Sequence, residues 1–299
     1  NCMRYDTLIV GQVCLDKNTD YDGTVVRSFG GAALFSGYAS AAMGNRSAVL
    51  AKRNPESIDL VEAYRASKPI TVLPLDSRES TRMENTYLAA DRERRDCRCT
   101  SVIDAYRPEE LAGIDAAVCH IAGLVRGDIG ADVVLAAAKI GELAVDVQCM
   151  LRKVEPDQHM VMLDWEEKRE LLPLITFLKT DAAEAERMTG MTDREAAAKQ
   201  LFAWGAKEVM ITHNSEVLVY DGRKIYTTPL RPRNLSGRTG RGDTTFACYL
   251  GERLHGGIPE ALLHASALVS LKMETPGPFL GSREDMLAYE KEFFPDCRV

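Results

Sequence analysis

Long apolar segments are missing from this 299-residue sequence. No run of about 18 apolar residues, the minimum for a membrane-spanning helix, occurs. The longest candidate, from Ala131 to Val147, is interrupted by Lys139, Gly141 and Glu142. An excess of basic residues is missing as well, because 37 Lys and Arg stand against 44 Asp and Glu. We therefore expect no membrane partner and no nucleic-acid partner.

Cysteine and histidine motifs are also scarce. The eight cysteines are too few for a disulfide framework over this length, and no Cys-x-x-Cys pair occurs. Cys97 and Cys99 form the one close pair, and no His or Cys beside them would complete a zinc site. The sequence contains no His-Glu-x-x-His motif and starts without a secretory pattern. These absences predict a cytoplasmic protein with reduced thiols.

Short apolar runs alternate with Ala-rich amphipathic segments along most of the chain. Runs of Val, Ile and Leu suit parallel strands that are buried on both faces, and their alternation with helices predicts right-handed βαβ units. The predicted strands are Thr7–Val13, Ser47–Ala51, Ile70–Leu75, Asp115–Ile121, Leu143–Val147, Met160–Leu163, Leu174–Leu178 and Glu208–Thr212. The predicted helices are Ala33–Met43, Pro55–Ala66, Ala131–Ile140, Asp181–Met188, Thr192–Trp204, Asp243–Leu254, Pro259–Met273 and Arg283–Phe293. We predict an α/β fold, in which a parallel sheet has helices on both faces, as a single domain over residues 1–299.

Residues 80–103 break this alternation. Two β-like runs, Arg82–Ala89 and Arg98–Ile103, flank the charged segment Arg92–Asp96, a pattern that predicts an exposed hairpin. Val25–Phe29 follows a turn signal and is predicted to join the hairpin as a further strand. A few strands without a core of their own do not make an independent domain, so we interpret residues 15–28 and 79–104 as a lid. An exposed lid edge could pair with a second copy, which makes a homodimer through the lid a hypothesis.

A glycine-rich segment, Ser236-Gly-Arg-Thr-Gly-Arg-Gly-Asp-Thr-Thr245, leads into an apolar helix. Such a loop presents backbone N–H groups and the positive end of the helix dipole to an anion. The spacing approaches that of a P-loop, but Asp243 stands where a P-loop has Lys, and a carboxylate there would repel phosphate. Asp243 could instead accept the proton of a hydroxyl that attacks a bound phosphoryl group. It could also be an ordinary helix N-cap, with the glycines as turn residues.

This segment resembles the second signature of the ribokinase-like (PfkB) carbohydrate kinases, Asp-Thr-x-Gly-Ala-Gly-Asp. Gly240, Gly242 and Asp243 match the signature, Gly237 replaces its first Asp, and Arg241 replaces its Ala. The resemblance implies a ribokinase-like α/β fold with a small β-stranded lid. It also implies that Asp243 is the catalytic base and that the loop amides form the anion hole, with Arg241 as an added cation.

The resemblance extends to the acceptor side. The segment from Phe29 to Gly44 is similar to the family's first signature, a Gly-Gly turn before an Ala-rich helix, although Phe35 replaces a common Asn. Asp16, Gly30 and Gly31 are thereby implied to bind the substrate hydroxyls. From the residues alone, Asp16 could equally be a solvated loop carboxylate.

A third stretch, Thr180-Asp-Ala-Ala-Glu184, is similar to the family's Asn-x-x-Glu, with Asp181 in place of Asn. This implies that Asp181 and Glu184 contact the nucleotide and that Glu184 helps to organise Mg²⁺ indirectly, although Glu184 could be an ordinary surface charge. Thr212 and Asn214 lie where the family has a nucleotide-lining Thr-x-Gly-x-x-Gly. Both glycines are absent, and Asn214 could adopt a left-handed turn in place of one of them.

One branch of the family resembles this sequence more than the others do. Val145-Asp-Val-Gln-Cys-Met-Leu-Arg152 and the Gly-Gly-Ala-Ala turn look most like inositol kinases. This implies that Gln148 and Arg152 bind the substrate, although both could be loop residues that pair with the backbone.

The sequence thus predicts an ATP- and Mg²⁺-dependent kinase of a small polyhydroxylated substrate: a sugar, an inositol or a nucleoside. A rival hypothesis is a sensor that keeps this fold, binds a polyol or nucleotide and has lost efficient catalysis. A nicotinamide dehydrogenase is disfavoured, because Gly11-Gln-Val-Cys-Leu-Asp16 after the first strand is not Gly-x-Gly-x-x-Gly.

Overall fold

The computed structural model of the protein describes residues 3–91 and 94–298. The fold is built around a nine-stranded sheet. Seven neighbouring strands are parallel, and the last two join one edge antiparallel, in the order β5-β4-β1-β8-β9-β12-β13-β14-β15. These strands are β1 (Arg4–Val10), β4 (Ser47–Arg53), β5 (Thr71–Asp76), β8 (Asp115–Ile121), β9 (Glu142–Asp146), β12 (Phe177–Asp181), β13 (Glu208–Thr212), β14 (Glu216–Tyr220) and β15 (Ile225–Pro229).

Helices cover both faces of this sheet. They are α1 (Ala32–Ala42), α2 (Leu60–Ala63), α3 (Ala131–Ala138), α4 (Gln148–Leu151), α5 (Lys168–Leu171), α6 (Ala182–Thr189), α7 (Arg194–Ala203), α8 (Arg241–Arg253), α9 (Ile258–Lys272) and α10 (Arg283–Phe293). Successive residues of one strand enter different cores: Leu143 and Val145 pack on the side of α3, α6 and α7, whereas Ala144 packs on the side of α8 and α9. Burial on both faces explains the continuous apolar runs, and it confirms the predicted α/β class.

A second sheet of four strands stands apart from the large one. Its order is β3-β2-β6-β7, formed by β2 (Cys14–Thr19), β3 (Val25–Gly30), β6 (Arg82–Tyr87) and β7 (Arg95–Ser101); we call it the small sheet. β2 and β6 pair parallel, and the two outer pairs are antiparallel. The predicted hairpin therefore forms, and Val25–Phe29 joins through β2, a strand that the sequence pattern did not reveal. The predicted tip at Arg92 and Glu93, like Cys2, lies outside the described residues.

Several predicted elements differ from the structure for local reasons. Met160–Leu163 is not a strand of the large sheet: β11 (Met160–Met162) pairs antiparallel with β10 (Arg152–Val154) in a separate hairpin. The predicted helix Pro55–Ala66 shortens to Leu60–Ala63, because the Asp59 carboxylate caps the helix start there. Leu174–Leu178 begins in a 3-10 turn around Pro173, since proline cannot donate to a strand ladder, and β12 starts only at Phe177.

Within the described ranges, no helix is long and apolar enough to cross a membrane. The seven cysteines in those ranges are free thiols.

Candidate active site

A cavity of about 740 Å³ opens at the carboxyl ends of the parallel strands. In open α/β sheets, ligands bind at this edge, where loops and helix N-termini converge. β1, β9, β12 and β13 lead into its walls, α8 begins at its base, and β2, β6 and β7 of the small sheet face it from the other side. Except for Gly30, which lies directly behind Asp16, all the site residues predicted from the sequence line this cavity.

The glycine-rich loop turns sharply into α8. Gly240 adopts φ +79°, in the left-handed region, and an added Cβ would lie 2.3 Å from the Phe35 ring, so the turn needs glycine. An added Cβ on Gly237 would lie 1.9 Å from the Thr275 carbonyl oxygen. The N–H groups of Gly242 and Asp243 fall in the first turn of α8, where no intrahelical carbonyl is available. The loop therefore has the shape and the free donors of an anion site.

Asp243 lies half-buried at the base of the cavity, on the first turn of α8. Burial and, next, the charge of Asp146 raise the pKa of its carboxyl to about 6, against the opposing charges of Lys179, Arg152 and Lys272. The Asp243 side chain makes no described cap hydrogen bond, so the ordinary N-cap interpretation fails. A carboxylate with a pKa near neutrality is suited to take a proton from a hydroxyl.

Lys179 and Asp146 form a buried ion pair that the sequence analysis missed. The Lys179 Nζ lies 3.2 Å from Asp146 Oδ2, and the two residues are 6% and 2% exposed. Burial disfavours the ammonium, but the charges of Asp146, Glu184 and Asp243 outweigh this and raise the pKa of Lys179. An added Cβ on Gly242 would lie 2.7 Å from Nζ, so the ammonium packs against the anion-binding turn. The sequence feature that could have revealed this pair is a lysine within the buried run Phe177–Thr180, where an unpaired charge would destabilise the fold.

Asp181 and Glu184 form a reciprocal capping box at the start of α6. Asp181 N–H donates to Glu184 Oε1 at 2.8 Å, and Glu184 N–H donates to Asp181 Oδ1 at 2.7 Å. Glu184 is only 1% exposed, so it is not a solvated surface charge. Burial raises its pKa to about 7, against the opposing charge of Lys179.

Asp16 approaches the cavity from β2 and packs directly on Gly30 of the paired strand β3. The Cys14 Sγ donates to Asp16 Oδ1 at 3.1 Å, and burial raises the pKa of the Asp16 carboxyl. Gly31, at φ +99°, follows β3 and is the N-cap residue of α1. Gln148 and Arg152 line the same cavity, and the Arg152 charge reaches both Asp243 and Glu184. The acceptor-side residues predicted from the sequence are thus brought together with the Gly-rich loop.

Substituting Gly30 by Ala should displace Asp16. An added Cβ would lie 2.1 Å from Asp16 Oδ2, so the carboxylate must rotate away from its present direction. We expect the KM for the acceptor to rise by about tenfold, the worth of one displaced charge-assisted hydrogen bond, and kcat to change far less. Steady-state kinetics with varied acceptor measures this, with exposed Ser28→Ala on the same strand as control. An unchanged acceptor KM would show that Asp16 does not hold the acceptor.

The Thr212–Asn214 segment differs in part from the conformation that the sequence predicts. Thr212 Oγ1 donates to the Thr180 carbonyl at 3.4 Å, and the His213 ring bonds to Ser215 within its own loop. Asn214 does not take the left-handed turn: among the described residues, Gln158 is the one non-glycine with positive φ. Sequence reasoning also missed Arg238 and Lys272, since neither stands in a recognised motif position.

Comparisons with known proteins bear on the family and the fold. Residues 8–284 match the pfkB family carbohydrate kinase. A pyrophosphate-dependent kinase in the ribokinase family, solved with a pyrophosphate analog and myo-inositol, shares 30% identity, covering 94% of this chain and 99% of that chain, at a TM-score of 0.85. A sulfate complex of a pyrophosphate-dependent kinase in the ribokinase family shares 31% identity with the same coverages, at a TM-score of 0.86.

A curated relative matches over a shorter stretch. The cytidine kinase of Thermococcus kodakarensis is 38% identical over 85 residues, which are 27% of this chain and 31% of that protein. The aligned part thus spans about a third of the relative's length. The full-length structural matches confirm the ribokinase-like fold, and together with the family match they show that this chain belongs to the pfkB family of carbohydrate kinases.

Proposed function

We propose that the protein transfers a phosphoryl group from inorganic pyrophosphate to a hydroxyl of a cyclitol of the myo-inositol class. The observation that carries this proposal is the position of Asp243, which lies at the anion-binding start of α8 and in one cavity with Asp16. A base beside the bound donor and a carboxylate for the acceptor are what transfer to an alcohol requires.

In this mechanism Asp16 and Gln148 orient the acceptor hydroxyls, and Asp243 accepts the proton of the attacking one. The new O–P bond forms as the bond to the leaving phosphate breaks. The N–H groups of Gly242 and Asp243 stabilise the charge on the transferred group, and the Lys179 ammonium beside them adds positive potential. The small sheet acts as a lid that excludes water.

The donor is argued from the cations of the loop. Exposed Arg238 and half-buried Arg241 make no ion pair within the described part of the chain. Burial and the charge of Arg238 lower the pKa of Arg241, and the charge of Asp181 opposes this. Two neighbouring guanidinium groups that make no direct ion pair favour a compact, highly charged anionic ligand. Val217 and Val269, by contrast, are 1% exposed and offer little surface against which a purine could stack. Two of the solved relatives, at 30% and 31% identity, are pyrophosphate-dependent. ATP, which the sequence predicted, stays the second candidate.

Mg²⁺ fits this site in an indirect role. Protein sites hold Mg²⁺ through one or two carboxylates together with substrate phosphates and water. Glu184 uses Oε1 in its capping box, and Oε2 carries no described hydrogen bond while the residue lines the cavity. No group of three or more His, Cys, Asp or Glu side chains in the described ranges could hold a metal alone. When bound, Mg²⁺ would neutralise donor charge, with Glu184 and Asp181 as its neighbours.

Donor preference gives a direct test. With myo-inositol as acceptor, we expect kcat/KM for pyrophosphate to exceed that for ATP by at least about tenfold. Arg241→Ala should lower the pyrophosphate value by about tenfold to hundredfold, the worth of a charge-assisted hydrogen bond. The control is Arg223→Ala, which removes an exposed arginine from the β14–β15 turn.

The acceptor panel for this assay includes ribose and cytidine. A preference for ATP would return the donor to the sequence-based prediction. Thermal stabilisation by a cyclitol without turnover of either donor would favour the sensor hypothesis.

A homodimer through the small sheet remains a hypothesis too. Val25 and Val26 are exposed on its edge strand β3.

A further inference from the structure

Lys272, the last residue of α9, places a buried ammonium behind the Gly-rich loop. The residue is 2% exposed. Its Nζ donates to the Gly237 carbonyl at 2.7 Å and to the Thr239 carbonyl at 2.5 Å. No carboxylate of the described residues lies within ion-pair distance of it. Burial lowers the pKa of Lys272 to about 8, against the charge of Asp243, and below that pH the two loop carbonyls accept hydrogen bonds from the buried ammonium.

An aromatic ring packs against this ammonium. The Phe35 ring lies under Nζ at 5.2 Å and also packs under Gly240, so one aromatic face contacts both the cation and the turn. Phe35 and Gly237 are two of the positions at which the chain departs from the signatures it resembles. An acidic side chain at 237 has no room, because an added Cβ would meet the Thr275 carbonyl at 1.9 Å. The loop thus has a cation behind it whose described hydrogen bonds go to backbone carbonyls.

We propose that Lys272 is a positioning residue whose ammonium serves as a tethered monovalent cation for the Gly-rich loop. By gathering the carbonyl oxygens of Gly237 and Thr239 on one side, it keeps the following N–H groups directed into the cavity, where an anion binds. Its charge also acts on Asp243, since it opposes the upward shift of the pKa of that carboxyl. The inference deepens the proposed kinase function and rests on it for the activity readout.

The test compares two substitutions that differ in whether they leave space. Lys272→Met fills the volume without charge, and Lys272→Ala leaves room for a small cation. We expect both to lower kcat by about tenfold to hundredfold. Ammonium or potassium chloride should restore Lys272→Ala several-fold but not Lys272→Met, and tetramethylammonium chloride should restore neither. Lys272→Arg should retain more activity than either, and exposed Lys199→Ala serves as the control.

A second readout does not need turnover. Calorimetric titration with pyrophosphate should give weaker binding to Lys272→Ala, recovered by ammonium ions, and near-normal binding to Lys199→Ala. If the wild type turns over no acceptor but shows this Lys272-dependent binding, the proposed function fails and the inference stands. If Lys272→Met does not fold, Lys272→Ala alone tests the inference. Ammonium ions should then strengthen its pyrophosphate binding and raise its thermal unfolding temperature. Wild-type kcat and pyrophosphate affinity in folded Lys272→Met, or equal deficits in Lys272→Ala with and without ammonium, would overturn the inference.

Discussion

Replacing Asp243 by Asn is expected to lower kcat by about 10²–10⁴-fold, the usual contribution of a general base. Asparagine keeps the size of the side chain but cannot accept the proton of the attacking hydroxyl. Because Asp243 makes no described side-chain cap hydrogen bond, α8 should begin as before and the protein should fold. Initial rates at saturating donor and acceptor measure the loss. Asp193→Asn, at the exposed N-cap of α7, is the matched control.

The same pair of proteins should differ in pH dependence. The raised pKa of Asp243, about 6, means that the wild type loses activity as the pH falls through that value and the base becomes protonated. In Asp243→Asn, the residual activity should no longer fall as the pH drops through about 6; we call this fall the acidic limb of the pH profile. A variant that turns over at near wild-type rate, or one that retains the limb, would contradict the assignment of Asp243 as the base.

The second large effect is expected for Lys179→Met. Removing Lys179 leaves Asp146 buried without its partner, and breaking a buried ion pair in this way costs about 3–5 kcal/mol in the free energy of unfolding. The pKa values of Glu184 and Asp243 should rise further, because Lys179 is the strongest charge opposing that rise at both carboxyls. We expect a lower denaturation midpoint, a kcat reduced by at least about 10²-fold, and an acidic limb displaced to higher pH.

A double variant separates the two effects. Asp146→Asn combined with Lys179→Met removes both charges. The amide oxygen that the first substitution introduces can still accept from the Gln148 N–H, as Asp146 Oδ1 does at 3.1 Å. The free energy of unfolding should recover in large part, because neither position then carries an unpaired charge. The kcat should stay low. Recovery of both would mean that Lys179 acts only in stabilising the fold.

The large sheet was predictable from the sequence because its strands are buried on both faces. Leu143, Ala144 and Val145 contact different cores, so the run has no polar interruption and its pattern is distinctive. β14, whose centre is buried, was missed because Glu216 and Val217 fall within the stretch interpreted as the nucleotide-lining Thr-x-Gly-x-x-Gly. β15 was missed because Ile225–Pro229, at the antiparallel edge, is mostly half-buried and mixes polar with apolar residues. β2 was missed for the same reason: Cys14–Thr19 is mostly half-buried.

The candidate site was predictable where chemistry depends on residues close in sequence. The Gly-rich turn and Asp243 lie within one segment, and the Asp181–Glu184 capping box is a four-residue pattern. Lys179 and Lys272 were not predictable in this way. Each acts through contacts between distant segments, 33 residues apart from Lys179 to Asp146 and 35 residues from Lys272 to Gly237. Only the folded chain brings these groups together.

Phosphoryl transfer from pyrophosphate to a cyclitol hydroxyl at Asp243 is tested most directly by phosphorus NMR of the reaction mixture. With wild-type protein, Mg²⁺, pyrophosphate and myo-inositol, we predict one phosphate monoester and one inorganic phosphate for each pyrophosphate consumed. Neither signal should grow when myo-inositol is omitted or when Asp243→Asn replaces the wild type. Pyrophosphate that persists unchanged beside wild-type protein, with no monoester formed, would contradict the proposed reaction.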